Sequence, residues 1–193
     1  TLFYEDNYVV SAGKWGYVTS CSTMYIDSTT IVLDIYLIPG FYDDFTFDFG
    51  WTTSGTAITG LWERGEPNGT SSGSAPDLDV PNDCGEFAFV TGNSSSTVPD
   101  DDDVDNGTSH LSSPVMDLSS YNDPYVNYSR WFYNYYGPIP PPDDKLIILA
   151  SNGTTVVPID QVASDTALFY QWIDKSIRLS DFITVTSTMQ FFI

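Results

Sequence analysis

No window of this sequence places its apolar residues at the period of a helix. Short segments alternate apolar and polar residues instead, and Gly, Pro or Asp bounds each of them. The acidic residues point the same way, since 22 of the 26 are Asp and only four are Glu. Asp favours turns, whereas Glu favours helix interiors. The chain is therefore predicted to be all-β, with Asp-rich loops between short strands.

The strongly negative charge excludes two classes of partner. Six Lys and Arg against 26 Asp and Glu give a net charge of −20. Nucleic acids and anionic membrane surfaces are bound through a basic face, so neither is an expected partner. No apolar run approaches the ~18 residues that cross a bilayer, so no membrane insertion is expected.

Strand signals divide the chain at residue 40. Residues 30–38 alternate best, with Ile31, Leu33, Ile35 and Leu37 on one face. Weaker signals lie near residues 8–10 and 17–26. Three strands make half a sandwich, so residues 1–40 are interpreted as the C-terminal part of a small β-sandwich, incomplete in this chain.

Residues 41–193 are predicted to form the larger unit, a β-sandwich or jelly roll. Its expected strands are 45–49, 86–91, 109–113, 124–135, 145–151, 167–173 and 187–193. Long loops occupy residues 65–83 and 92–108, and loops of that length are usually functional or stabilised by an ion. Because no turn follows the last strand, the jelly roll is expected to continue beyond residue 193.

Two cysteines, Cys21 and Cys84, leave two alternatives open: a pair of buried thiols, or one disulfide in an oxidising compartment. A zinc site is not expected, since His110 is the single histidine. Five N-x-[ST] sequons mark exposed loops, at Asn68, Asn93, Asn106, Asn127 and Asn152. Together with the acidity, they favour a secreted or cell-surface protein.

An ordered set of motifs in residues 41–193 resembles a known domain. The motifs are Gly60–Thr70, Asp83–Gly85, Ala88–Asn93, Asp102–Thr108, Leu111–Ser119, Asp123–Val126 and Ser129–Asn134. They are similar to the jelly-roll (MAM-like and lectin-like) accessory domains of secreted bacterial proteins, which often follow zinc carboxypeptidase domains. Residues 1–40 resemble the tail of a carboxypeptidase-regulatory-like, or transthyretin-like, β-sandwich. Such pairs occur in proteins that the type IX secretion system of Bacteroidetes exports.

The densest acidic segment predicts structural Ca²⁺. Five carboxylates, Asp100 to Asp103 and Asp105, fall within six positions and repel one another. Ca²⁺ takes oxygen ligands, although the spacing is not that of an EF-hand. The resemblance points to Asp102, Asp103 and Asp105 as ligands, with Asp77 or Asp79 from the other long loop. The alternative is a solvated acidic loop without a cation.

An aromatic segment, residues 130–136, is the candidate ligand-binding surface. As a strand it places Trp131, Tyr133 and Tyr135 on one face, where they would offer platforms to sugar rings. In the alternative, both faces pack inside the protein.

The sequence supports an enzymatic function less well than it supports a binding function. Glu63 and Glu66 would form a glycosidase pair, but pairing with Arg64 between them explains both. His110 lies beside Ser109 and Ser112, which is weak evidence for a hydrolytic triad in a Ser-rich chain. The chain is therefore interpreted as a non-catalytic adhesion, ligand-binding or spacer module of a larger exported protein. The alternatives are an accessory domain of a secreted peptidase or glycosidase, and a structural subunit of a surface filament or secretion complex.

Two covalent features follow from export. Ser28 and Thr166 each follow an Asp, as in the O-glycosylation pattern of exported Bacteroidetes proteins, so both are predicted to carry sugars; the alternative is ordinary turn residues. In an oxidising compartment a Cys21–Cys84 disulfide would be the more stable state and would clamp the two domains. The partners expected are a glycan or protein ligand and other domains of the same polypeptide.

Overall fold

The computed structural model describes residues 4–29, 32–134, 144–163 and 170–193. In these residues the protein is all-β, as predicted, and its only helical element is a 3₁₀ turn, Leu179–Asp181. The strands are β1 (Asp6–Ala12), β2 (Ser20–Ile26), β3 (Thr52–Gly55), β4 (Trp62–Gly65), β5 (Ala88–Thr91), β6 (Ser109–Ser112), β7 (Tyr125–Arg130), β8 (Lys145–Ser151), β9 (Val156–Ala163), β10 (Ile173–Arg178) and β11 (Gln190–Phe192).

A five-stranded antiparallel sheet with the order β3-β6-β11-β8-β9 forms one layer. Two-stranded ladders, β7 with β10 and β4 with β5, accompany it. The core includes Ile148 and Ala150 of β8 and Phe191 of β11, against which Val126 of β7 and Ile177 of β10 pack. The five-stranded sheet and the β7–β10 ladder thus bury their apolar faces against each other, as the layers of a β-sandwich do. The jelly-roll connectivity stays a prediction.

The hairpin of β1 and β2 forms a separate sheet, in which Asp6 lies opposite Ile26. Its connecting loop reaches into the larger unit, because the Trp15 indole packs on Phe41 and donates from Nε1 to the Val115 carbonyl oxygen at 2.9 Å. Contacts therefore cross the predicted domain boundary at residue 40.

Two predicted strands are wrong. Residues 32–38 form no strand, and their apolar side chains lie in solvent, with Tyr36 88% exposed. Residues 45–49 form turns instead, since Asp43 and Asp44 accept hydrogen bonds from the backbone N–H groups of Phe45 and Thr46. Side chains that bind nearby backbone groups in this way compete with a strand ladder.

Other strands differ at their ends. β7 stops at Arg130, so the predicted strand 124–135 is too long, and β10 begins only at Ile173. β9, which contains Pro158, was not predicted. Its ladder has a register shift between Ile148 and Leu149, and Pro158 lies opposite Leu149, the kind of position where a sheet tolerates proline.

Candidate functional site

Four aromatic side chains form two contacting pairs, here together called the aromatic platform: Trp131 with Trp172, and Tyr133 with Tyr170. The Trp131 and Trp172 rings meet edge to face with their centroids 5.8 Å apart, and the Tyr133 and Tyr170 rings lie 5.2 Å apart. Tyr170 is 52% exposed, and the other three side chains are half-buried. The platform therefore presents ring surface to solvent while its base is packed.

The β7–β10 ladder positions the platform. Arg130, the last residue of β7, lies opposite Ile173, the first of β10, so Trp131 and Trp172 leave the ladder side by side. The long loop of residues 66–83 then fixes both indoles. Trp131 Nε1 donates to the Ser74 carbonyl oxygen at 2.7 Å, and Trp172 Nε1 donates to that of Leu78 at 3.3 Å.

The sequence predicted half of this platform. Trp131 and Tyr133 each belong to one of the two pairs, and they follow β7 without continuing it. Tyr135 lies outside the described residues. Sequence reasoning missed Tyr170 and Trp172, although the aromatic run at 168–172 was available as a signal, because the pairing of β7 with β10 is not visible in the sequence.

A largely buried charge network connects these two strands to β9. Asp160 of β9 accepts a hydrogen bond from the Tyr128 hydroxyl at 2.6 Å and pairs with Arg130 Nε at 3.2 Å and Lys175 Nζ at 3.7 Å. Burial raises the pKa of Tyr128, and its bond to Asp160 raises it further. The network joins the two layers beneath the platform and holds Arg130, the residue before Trp131, in place.

The two long loops hold each other through their asparagines. Asn68 donates from its backbone and its side chain to Asn93, and Asn93 Nδ2 donates to the Glu66 carbonyl oxygen at 2.8 Å. Ser71 also donates to the Thr97 carbonyl oxygen. These side-chain amides thus serve as cross-links between loops in the folded chain.

The predicted calcium ligands are spread over these loops. Asp77 accepts from Gly69 N at 3.3 Å and Asp102 from Ser94 N at 2.7 Å, while Asp103 and Asp105 are exposed. Burial raises the pKa of Asp103, as do Asp105 and Asp100. Within the described ranges, no three acidic, His or Cys side chains form a group arranged around a metal ion. Calcium at Asp102, Asp103 and Asp105, with Asp77 or Asp79, stays a prediction.

The cysteines form a disulfide. Cys21 on β2 and Cys84 in the long loop are joined with their Cα atoms 5.7 Å apart, so of the two alternatives the structure contains the bond. It ties the first hairpin to the segment that leads into β5.

Arg64 does not pair with its acidic neighbours. Its guanidinium donates from Nη1 to the Phe45 carbonyl oxygen at 2.7 Å and lies over the Phe87 ring. Among the described ion pairs none involves Glu63 or Glu66, so the predicted pairing with Arg64 is wrong. The left-handed turn at Phe45 brings its carbonyl oxygen within reach of Arg64 instead.

Of the predicted glycosylation sites, Ser28 is exposed after β2, next to a turn in which Asp27 accepts from Thr29 N at 2.9 Å. Thr166 lies outside the described residues.

Comparison with known protein families, with curated proteins and with solved structures found no match. In the part of the chain that the structure describes, no helix has the length and apolar character to cross a membrane.

Proposed function

We propose that the chain is a non-catalytic extracellular module that binds a neutral glycan on the aromatic platform, as part of a larger surface protein. The fixed geometry of the platform supports this proposal. Because the Trp131 and Trp172 indoles are already held by backbone carbonyl groups, little side-chain entropy is lost when a ligand binds. Large, half-exposed aromatic rings with a polar surround are a common basis for ligand recognition.

The net charge of the chain favours one class of glycan over another. A net charge of −20 repels sialylated, sulfated or uronic-acid chains, so neutral sugars are the favoured ligands. Polar acceptors lie next to the platform, where Asn134 Nδ2 donates to the Asp144 carbonyl oxygen at 3.3 Å. Carbonyl and carboxylate oxygens are suitable acceptors for sugar hydroxyl groups.

The disulfide supports an extracellular location. Such bonds form and persist in oxidising compartments and are rare in the cytosol. Cys21–Cys84 is therefore consistent with a secreted or cell-surface chain. An accessory domain of a peptidase, or a filament subunit, would share this bond but would not require the platform.

The test is binding of the oxidised 193-residue chain to an array of neutral oligosaccharides, followed by calorimetry on the best one. We expect Tyr170→Ala and Trp172→Ala to weaken binding by about tenfold or more, since buried aromatic contacts dominate such interfaces. Tyr25→Ala is the matched control, because Tyr25 is 59% exposed and lies on the distant hairpin. An array without a neutral ligand, or equal losses in the control, would contradict the proposal.

A further inference from the structure

A second acidic cluster lies beside the disulfide, away from the acidic run. It consists of Asp44, Asp79 and Asp83 and is called the Asp44 pocket here. Asp83 precedes Cys84, and Gly85 packs so closely on Thr46 that a Cβ there would overlap its hydroxyl oxygen. Asp44 is only 3% exposed. A charged side chain that is buried to this extent normally has a partner.

Three oxygens of the pocket have none. Asp44 Oδ2, Asp79 Oδ2 and Thr46 Oγ1 are buried without a hydrogen-bond partner. The other oxygens of the two carboxylates are engaged, with Asp44 Oδ1 accepting from Thr46 N at 3.1 Å and Asp79 Oδ1 from Val80 N at 2.7 Å. Leaving an ionised oxygen unpaired costs the full desolvation penalty, so each orphan atom needs an explanation.

The electrostatics indicate that these carboxylates lie close enough together to interact. Burial raises the pKa of Asp79 to about 6, and the charges of Asp83 and Asp44 contribute. Burial also raises the pKa of Asp83, with Asp44 contributing again. None of the ion pairs among the described residues involves these three side chains. The pocket therefore concentrates negative charge that no ion pair of the described residues balances.

We propose that Asp44, Asp79 and Asp83 bind one Ca²⁺ ion, with the Thr46 hydroxyl as a further oxygen ligand. Carboxylate and hydroxyl oxygens are the hard ligands that Ca²⁺ takes, and its flexible geometry tolerates an irregular set. No described group of three such carboxylates is already gathered around one point, so binding draws the half-buried Asp83 towards the other two. The ion would fasten the long loop of residues 66–83 to the disulfide region. This site differs from the acidic run, where Asp101 and Asp102 already accept hydrogen bonds from Ser96 and Ser94.

The test is titration of Ca²⁺ into the metal-stripped, oxidised chain, followed by calorimetry and thermal unfolding. We expect one saturable site and a higher Tm with Ca²⁺. Asp44→Asn, which keeps the shape of the side chain, should weaken binding by at least about tenfold, because ligand charge sets affinity in such sites. The matched control is the double variant Asp103→Asn and Asp105→Asn, which removes two charges from the acidic run and should bind as the unsubstituted chain does.

Terbium luminescence gives a second readout, since Tyr42 lies close enough to these carboxylates for Asp44, Asp83 and Asp79 to raise its pKa. Tyr42→Phe should reduce sensitised Tb³⁺ emission without abolishing Ca²⁺ binding. If Asp44→Asn does not fold, the same Ca²⁺ titration and thermal unfolding are carried out on Asp79→Asn instead. No heat and no Tm change in the unsubstituted chain would overturn the proposal, and so would loss of binding in the acidic-run control alone. Glycan binding is measured in a separate experiment, so a failure to bind glycans would not change the conclusion about Ca²⁺.

Discussion

Asp160 is the residue on which the two layers depend most directly. It receives the Tyr128 hydroxyl and two cationic side chains, and its own side chain is 13% exposed. Asp160→Asn keeps the shape and removes the charge, which leaves Arg130 buried without its counter-ion. We expect the free energy of unfolding to fall by about 3 kcal/mol, as when one partner of a buried pair is removed.

Urea unfolding measures this effect. Asp174→Asn is the control, because Asp174 is exposed and accepts a hydrogen bond only from Ser129 Oγ among the described contacts. A surface change of that kind should stay within about 0.5 kcal/mol. Equal losses in the two variants would show that the network contributes no more than an exposed hydrogen bond.

At the scale of the residue, the sequence showed where carboxylates are crowded along the chain, but it did not show which carboxylates are buried. It singled out the acidic run because five carboxylates are neighbours in the chain. Asp44 is 3% exposed, and Asp160 contacts Tyr128, Arg130 and Lys175, which are all distant from it in the chain. The aromatic run drew attention to Trp131, and the two lone cysteines left a disulfide as one of two alternatives.

Among the elements, the acidic run is shaped more by backbone packing than by its charges. Gly92, at φ +65°, approaches so closely that a Cβ would overlap the Asp102 carbonyl oxygen. Thr59 Oγ1 donates to the Asp103 carbonyl oxygen at 2.8 Å, and Ile58 N donates to that of Asp105 at 2.9 Å. The run is thus fastened to the segment between β3 and β4.

Gly92→Ala tests this packing. Ala at a left-handed position costs about 1 kcal/mol by itself, and the overlap with Asp102 should raise the loss of stability to about 3 kcal/mol. Gly16→Ala isolates the conformational part, because Gly16 has φ +86° and nothing within 4 Å of the added Cβ. Thermal and urea unfolding of both variants give the difference. Indistinguishable losses would mean that the loop moves away from Gly92 at no cost.

The strand prediction failed where an alternating segment has no neighbouring strand, among the described residues, with which to pair. Residues 32–38 alternate well, but a strand needs a neighbour for its backbone groups, and only isolated contacts such as Val18 N to the Ile38 carbonyl oxygen at 2.9 Å supply one. The backbone turns at Phe45 and Thr46 because Asp43 and Asp44 accept hydrogen bonds from their N–H groups. Asp is the residue type that the composition associated with loops. An alternating pattern therefore predicts a segment with one apolar and one polar face. Whether that segment becomes a strand depends on whether a neighbouring strand is available to pair with it.

At the scale of the whole molecule, the hairpin of β1 and β2 forms a sheet of its own. Half of the residues in its two strands are exposed, including Val9 at 68% and Tyr25 at 59%. Trp15 and the disulfide fix it to the rest of the chain. Its position thus depends on the covalent link and on the packing of Trp15 against the core.

Breaking the disulfide is therefore expected to lower stability and to release the hairpin. Cys21 and Cys84 are 63 residues apart, and closing a loop of that size stabilises the folded state by about 4 kcal/mol in the chain-entropy model. The double variant Cys21→Ser and Cys84→Ser should lose about this much in urea unfolding. It should also be cleaved by protease near residues 32–38 at concentrations that leave the oxidised chain intact. The dithiothreitol-reduced unsubstituted chain is the control, because it lacks the bond but keeps both sulfurs. If the reduced chain unfolds at the same urea midpoint as the oxidised one, the hairpin is held by Trp15 and its neighbours instead of by the bond.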